Sequence, residues 1–225
     1  MPSVRKLEPV PELWIIFQKL FRAYGPQHWW PARTPLEVVI GAVLTQNTAW
    51  QNVERAMANL RHARLLNLDR LCRTPAGRIA ELIRPAGYYN IKARRLLSAL
   101  KWLKEQGGFA KLQATPTSRL RTSLLDCYGV GPETADSILL YALNRPVFVI
   151  DAYTRRILAR YGLIQGDERY EELRIWIEQS LAPFLKNDAQ ATVRAFNEFH
   201  ALFVRLAKTH CRSQPRCPGC PLNSR

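Results

Sequence analysis

The chain has 225 residues and a formal net charge of +15, from 33 lysines and arginines against 18 acidic residues. That length allows one core or two small lobes, and 47% hydrophobic residues with six tryptophans exclude a disordered chain. The charge points to a polyanionic partner, because each phosphate neutralised releases a counterion; no apolar run is long enough to span a membrane.

Helical periodicity dominates. Residues 11–24 set Leu13, Ile16, Phe17, Leu20 and Phe21 on one stripe, and residues 36–60 read as two helices broken near 45–48. Further helices are expected over 90–105, 117–126, 132–143, 152–162, 169–181 and 187–208. Breakers at Pro75, Pro85-Ala86-Gly87, Gly107-Gly108, Pro116, Pro146 and Gly162 separate these runs. Residues 147–150 (VFVI) are strand-like but have no partner run, so the expected fold class is all-α. The opening MPSVRKLEPVPELW lacks the apolar segment of a secretory leader, so a cytoplasmic, nucleoid-associated protein is expected. No self-association signal stands out, and a monomer is expected.

The most informative stretch is LLDCYGVGPETADSILLYALNRPVFVID. Gly129 and Gly131 bound a turn between two helical runs, and Pro132 and Glu133 open the second run. Glycine has no Cβ to keep a phosphate away, and the helix that follows points its positive end at the same place. A contact of this kind positions DNA without reading its sequence. A helix corner in which glycine merely permits the turn is the plainer alternative.

Asp151 stands just before the helical run at 152–158. It can cap that helix by accepting backbone N–H bonds, and a carboxylate held there stays ionised. Such a carboxylate is suited to facing a developing oxocarbenium sugar or to orienting water. Glu133, in the first turn of its own helix, complements the helix dipole.

These residues resemble the helix-hairpin-helix and catalytic aspartate of the endonuclease III superfamily of DNA glycosylases. The resemblance covers roughly residues 25–205. It implies two lobes: a continuous six-helix lobe at 27–146, with the hairpin at about 117–143, and a second lobe made of 1–26 and 147–225. A ligand cleft would lie between them, with Asp151 and Glu133 as the catalytic pair. Bifunctional members carry a lysine where Glu133 stands, whose amine attacks the sugar C1′ to form a Schiff base. A carboxylate cannot do this, so water is the expected nucleophile.

GAVLTQNT resembles the segment that places a glutamine, here Gln46, into the DNA stack. RPAGYYNIKA resembles the facing loop, with Tyr88, Asn90 and Lys92 at the DNA. With His28-Trp29-Trp30-Pro31, Trp50 and Glu133, these segments are similar to the 3-methyladenine DNA glycosylase III subfamily. By that analogy Trp30, Pro31 and Trp50 sandwich an extruded base, with His200 lining the pocket. Stacking on an indole contributes about 1–3 kcal/mol per base, and an alkylated, cationic base gains roughly 0.5–2 kcal/mol from a π face. The same tryptophans could instead be core residues. The subfamily's modified lysine is absent, since leucine stands at the aligned position, Leu202.

Of five cysteines, Cys211, Cys217 and Cys220 cluster, while Cys72 and Cys127 lie on helical runs and read as packing residues. The cluster resembles the iron–sulfur loop of the superfamily, here 211–225, where four thiolates hold a [4Fe–4S] cluster. The resemblance puts the fourth ligand about six residues after Cys220, where this sequence has no residue; a site of three cysteines completed by His210 or solvent is the alternative, and zinc held by the three cysteines and His210 is the competing occupant. Lys208, Arg212 and Arg216 add phosphate-binding charge to this loop.

The expected function is that of a monofunctional base-excision-repair DNA glycosylase, acting on double-stranded DNA that contains a damaged base, an alkylated purine by preference. The alternatives are a glycosylase with abasic-site lyase activity on oxidised pyrimidines or mismatches, and a helix-hairpin-helix DNA-binding protein without catalysis.

Overall fold

A computed structural model describes residues 7–27, 29 and 32–223. Among them regular structure is entirely helical, and no helix is long and apolar enough to cross a membrane. In chain order the α-helices are α1 Glu12–Tyr24, α2 Pro35–Leu44, α3 Trp50–His62, α4 Leu68–Arg73, α5 Ala76–Leu82, α6 Tyr89–Glu105, α7 Phe109–Leu112, α8 Thr117–Leu125, α9 Pro132–Ser137, α10 Ala152–Tyr161, α11 Tyr170–Leu181 and α12 Ala189–Thr209. Short 3₁₀ turns cover Arg84–Ala86 and Ala182–Phe184, and a π segment, Ile138–Ala142, continues α9. The chain divides into two compact units, residues 30–145 and residues 1–29 with 146–225.

In the unit formed by 30–145, α2 is the centre. Every residue from Leu36 to Leu44 is buried; all are apolar except Glu37, whose carboxylate pairs with Arg61 at 3.3 Å. Thr34 caps α2 by accepting the Glu37 amide at 3.2 Å, and Pro35 takes the first turn, where no amide donor is needed. Helices α6 and α9 and the π segment pack around α2. Three short helices, α4, α5 and α7, were not expected from periodicity. Asn67 caps α4 through its side chain, and Ile79 and Ala80 bury α5 against α6.

In the other unit α12 packs against α1 and α10. Its Phe196 and Phe199 meet Phe148, and Phe199 also meets Phe17 and stacks on Phe203, with ring centroids 4.3–5.9 Å apart. Each such buried ring contributes about 1.5–3 kcal/mol by burial alone. The VFVI run makes no strand. It is a buried extended connection whose Phe148 amide donates to Glu178 and whose Ile150 amide donates to the Tyr170 hydroxyl. Side chains of α11 thus take the place of a neighbouring strand.

Candidate active site

Asp151 takes an extended backbone conformation immediately before α10. Its Oδ1 accepts the Thr154 amide at 2.7 Å, so the capping role is present. Its Oδ2 lies 3.5 Å from Nε2 of His200, on α12. The aspartate side chain is 14% exposed and that of the histidine 7%. Burial pushes the Asp151 carboxyl up, but His200 and Thr154 more than offset this and hold it below the usual carboxylate range. The result is an ionised carboxylate, anchored through Oδ1 and with Oδ2 beside the imidazole, in a poorly hydrated place. His200 therefore stands beside Asp151, a pairing that its place in the sequence did not announce.

The glycine hairpin lies in the 30–145 unit. Helices α8 and α9 are joined by a two-pronged ion pair, Arg121 Nε to Asp136 Oδ1 at 2.6 Å and Nη2 to Oδ2 at 3.1 Å, with Asp136 fully buried. Val130 is buried and anchors the turn. Gly129 sits at φ +77°, and a Cβ there would come within 2.2 Å of the Arg95 side chain. Gly131 is different. Its φ is −92°, and a Cβ would meet nothing within 4 Å. Neither backbone conformation nor packing demands glycine at 131, and the space beside it is open. Glu133 is exposed in the first turn of α9.

Gln46 does not project freely. Its Nε2 donates to the Gly129 carbonyl and to Thr134 Oγ1, both at 3.0 Å, and its Oε1 accepts from Arg95. It ties the loop after α2 to the hairpin. In the facing loop Tyr88 is 73% exposed at φ +45°, and Asn90 is exposed on the first turn of α6. Lys92 departs from expectation. It is buried, with Nζ donating to the carbonyls of Leu44 and Ala86, so its ammonium is turned inward and not presented at the surface. The reason is rotational: on α6, position 92 stands two residues beyond the exposed Asn90 and turns toward α2, whose last carbonyl it reaches.

Of the expected base pocket, Trp30 and Pro31 lie outside the described residues, as does His28. Trp50 opens α3, half-buried, with its indole N–H donating to Glu54 at 3.0 Å.

Matches to known proteins identify the family. Residues 40–183 match the model of the HhH-GPD superfamily base excision DNA repair proteins. The chain belongs to this superfamily and is a DNA glycosylase. It is 44% identical over 210 residues to the "Putative DNA repair glycosylase MJ1434" of Methanocaldococcus jannaschii, covering 92% of each chain. It is 30% identical to the crystal structure of the 3-methyladenine DNA glycosylase of H. pylori bound to 1,N6-ethenoadenine, with a TM-score of 0.75 and coverage of 88% of this chain and 96% of that one. A DNA complex of endonuclease III, at 21% identity, covers 94% of this chain and 92% of that one with a TM-score of 0.75, which shows the shared fold.

The cysteine tail of the glycosylase is held by α10. Arg156 donates to the Cys211 carbonyl at 2.8 Å, and Arg160 donates to the carbonyls of Arg212 and Ser213. Cys211, Cys217 and Cys220 line a cavity of about 130 Å³ with His210, Arg160, Arg216 and the apolar Ile157, Leu206 and Leu222. His210 Nδ1 is 3.0 Å from the Arg216 carbonyl oxygen, Arg160 donates to the Cys211 sulfur at 3.5 Å, and none of the three cysteines is in a disulfide. Among the described residues, no three His, Cys, Asp or Glu side chains are arranged to hold a metal ion. Arg95, Arg121 and the two α10 arginines act by reaching carbonyls or carboxylates far along the chain, and no local pattern marks them.

Proposed function

We propose that this glycosylase is monofunctional and removes alkylated purines from double-stranded DNA by hydrolysis. The observation that carries the proposal is the carboxylate of Glu133 at the head of α9, where the resemblance puts the attacking amine of the lyases. Without that amine, Asp151 acts on the sugar. An alkylated base is a good leaving group, so it departs with the electron pair of the C1′–N bond. The ionised Asp151 stabilises the oxocarbenium left behind, by an interaction that strengthens as the positive charge develops. Water then adds to C1′, and its proton passes to the carboxylate and on to solvent. The 30% identity to a 3-methyladenine DNA glycosylase supports the substrate class, as does the indole of Trp50.

A second reading has its own support. Endonuclease III of Thermotoga maritima is 26% identical over 191 residues, with 84% of this chain and 81% of that protein covered. On this reading oxidised pyrimidines or mismatched bases are removed and the strand is cut.

The C-terminal loop is proposed to hold a [4Fe–4S] cluster through Cys211, Cys217 and Cys220. Thiolates are the soft donors that group takes, and binding it would have to draw together three sulfurs that are not gathered as a metal site in this structure; the arginines lining the cavity would offset its negative charge. The cluster would order the loop, and Lys208, Arg212 and Arg216 would present their charge to DNA phosphates. A brown colour with broad visible absorption in freshly purified protein tests this, and a colourless protein containing stoichiometric zinc overturns it.

The test of the activity is a panel of duplexes with alkylated purines, oxidised pyrimidines or mismatches, developed with and without alkali. Excision of alkylated purines, with cleavage only after alkali, is expected. Activity confined to oxidised pyrimidines overturns the substrate class, and no excision on any duplex overturns the whole mechanism.

A further inference from the structure

Lys92 is among the largest fully buried side chains, with 1% of its surface exposed. Burying an ammonium is unfavourable unless it is well bonded, and here burial and the neighbouring Arg95 lower its pKa to about 8. Its two acceptors are informative. Leu44 is the last residue of α2 and Ala86 is the last residue of the Arg84–Ala86 turn. Both are carbonyls at helical ends, where intrahelical partners run out. Nζ donates to them at 2.8 and 2.7 Å.

Each carbonyl also marks the start of a surface loop. After Leu44 comes the segment with Gln46 and Asn47; after Ala86 come Gly87, Tyr88 and Asn90. Both loops bend through a non-glycine residue in the left-handed region, Asn47 at φ +52° and Tyr88 at φ +45°. Side chains rarely adopt that conformation unless the surroundings impose it. One ammonium bonded at the root of both loops fixes their separation. The first loop is anchored again by Gln46 on the hairpin.

We propose that Lys92 is a positioning residue that sets loops 45–49 and 86–90 at a fixed spacing, so that they meet a DNA duplex as one pre-formed element. This rests on the reading that both loops touch DNA. An apolar side chain of similar length would fill the volume but leave both carbonyls without a donor, and the loops would move independently. The ordering that DNA binding then requires appears as lost affinity.

The experiment is hydrogen exchange by mass spectrometry on the full chain, wild type and Lys92→Met, free and bound to a duplex containing an abasic-site analogue. In the wild type, DNA should slow exchange in both loops together. In the free variant both loops should exchange faster while the rest of the 30–145 unit is unchanged. Affinity should fall about tenfold, with KM affected more than kcat. If DNA protects both loops in the wild type but the variant matches it in exchange and affinity, the proposal is overturned and the reading of the loops stands. If DNA protects neither loop, that reading falls and the proposal with it. Faster exchange spread evenly through the unit also overturns it, because Lys92 is then only a core residue. Should Lys92→Met fail to fold, Lys92→Gln, a shorter donor that cannot hold both carbonyls, is measured against the same outcomes.

Discussion

The two oxygens of Asp151 face different helices: one accepts the amide of Thr154 in the first turn of α10, and the other lies 3.5 Å from the imidazole of His200 on α12. Asparagine caps helices about as well as aspartate, so Asp151→Asn should fold normally. Under the proposed mechanism it should lose about 10²–10³-fold in single-turnover excision and keep its affinity for duplex DNA. A variant that excises at the wild-type rate would remove Asp151 from the chemistry.

The depressed pKa of Asp151 has a signed consequence. Its folded value lies below the ordinary 3.8, so its contribution to stability is complete above that pH and is lost as pH falls through the folded value. In His200→Ala the histidine's effect disappears while the burial remains. The carboxyl should then titrate at higher pH, and the acidic limb of excision and the acid unfolding midpoint should both move upward. Superimposable pH profiles for the two proteins would show that the imidazole does not act on the carboxylate.

The two hairpin glycines should separate folding from binding. Gly129→Ala places a side chain at φ +77° against Arg95, at a cost of about 1–2 kcal/mol. A fall in Tm of roughly 2–8 °C follows. Gly131→Ala meets no protein atom and should leave Tm unchanged, while its methyl group keeps a phosphate away and lowers DNA affinity about tenfold. Equal affinities for Gly131→Ala and the wild type would mean that no phosphate approaches there.

Borohydride reduction on abasic DNA tests Glu133. The wild type should give no covalent adduct, because no amine is supplied at the head of α9, whereas Glu133→Lys should give one. A stable wild-type adduct would identify another attacking amine and favour the lyase reading.

Lys92 should also mark the alkaline stability curve. Its folded value of about 8 lies below its ordinary 10.5, so between these values the unfolded chain binds a proton that the folded chain has released. Stability rises with pH across that window, by at most about 3 kcal/mol. The neutral amine keeps two hydrogens, enough for Leu44 and Ala86, so the loops stay joined. Denaturant midpoints compared with Lys92→Met from pH 7 to pH 10 should shift in favour of the wild type; a constant difference would show that Lys92 titrates normally.

Several elements were readable because their cause is local. The apolar spacing of α1, the proline and acid that open α9, and the aspartate before α10 are each set by residues a few positions apart. Helices α4 and α5 escaped notice because six or seven residues span too few turns for a period to emerge. VFVI read as strand-like because β-branched and aromatic residues suit any buried extended chain, whether its amides meet a strand or, as here, Glu178 and Tyr170.

What the sequence by itself determined is the helical class, the glycine hairpin, the capping carboxylate and the absence of an amine at position 133. Each follows from backbone preference or side-chain chemistry at a single site. The tertiary structure alone decided that His200 stands beside Asp151, that Gln46 is bonded to the hairpin, and that Lys92 turns inward to two carbonyls instead of outward to phosphate. These are contacts between residues distant along the chain or around a helix, and their partners are fixed only when helices pack and each buried polar group must find a donor or acceptor.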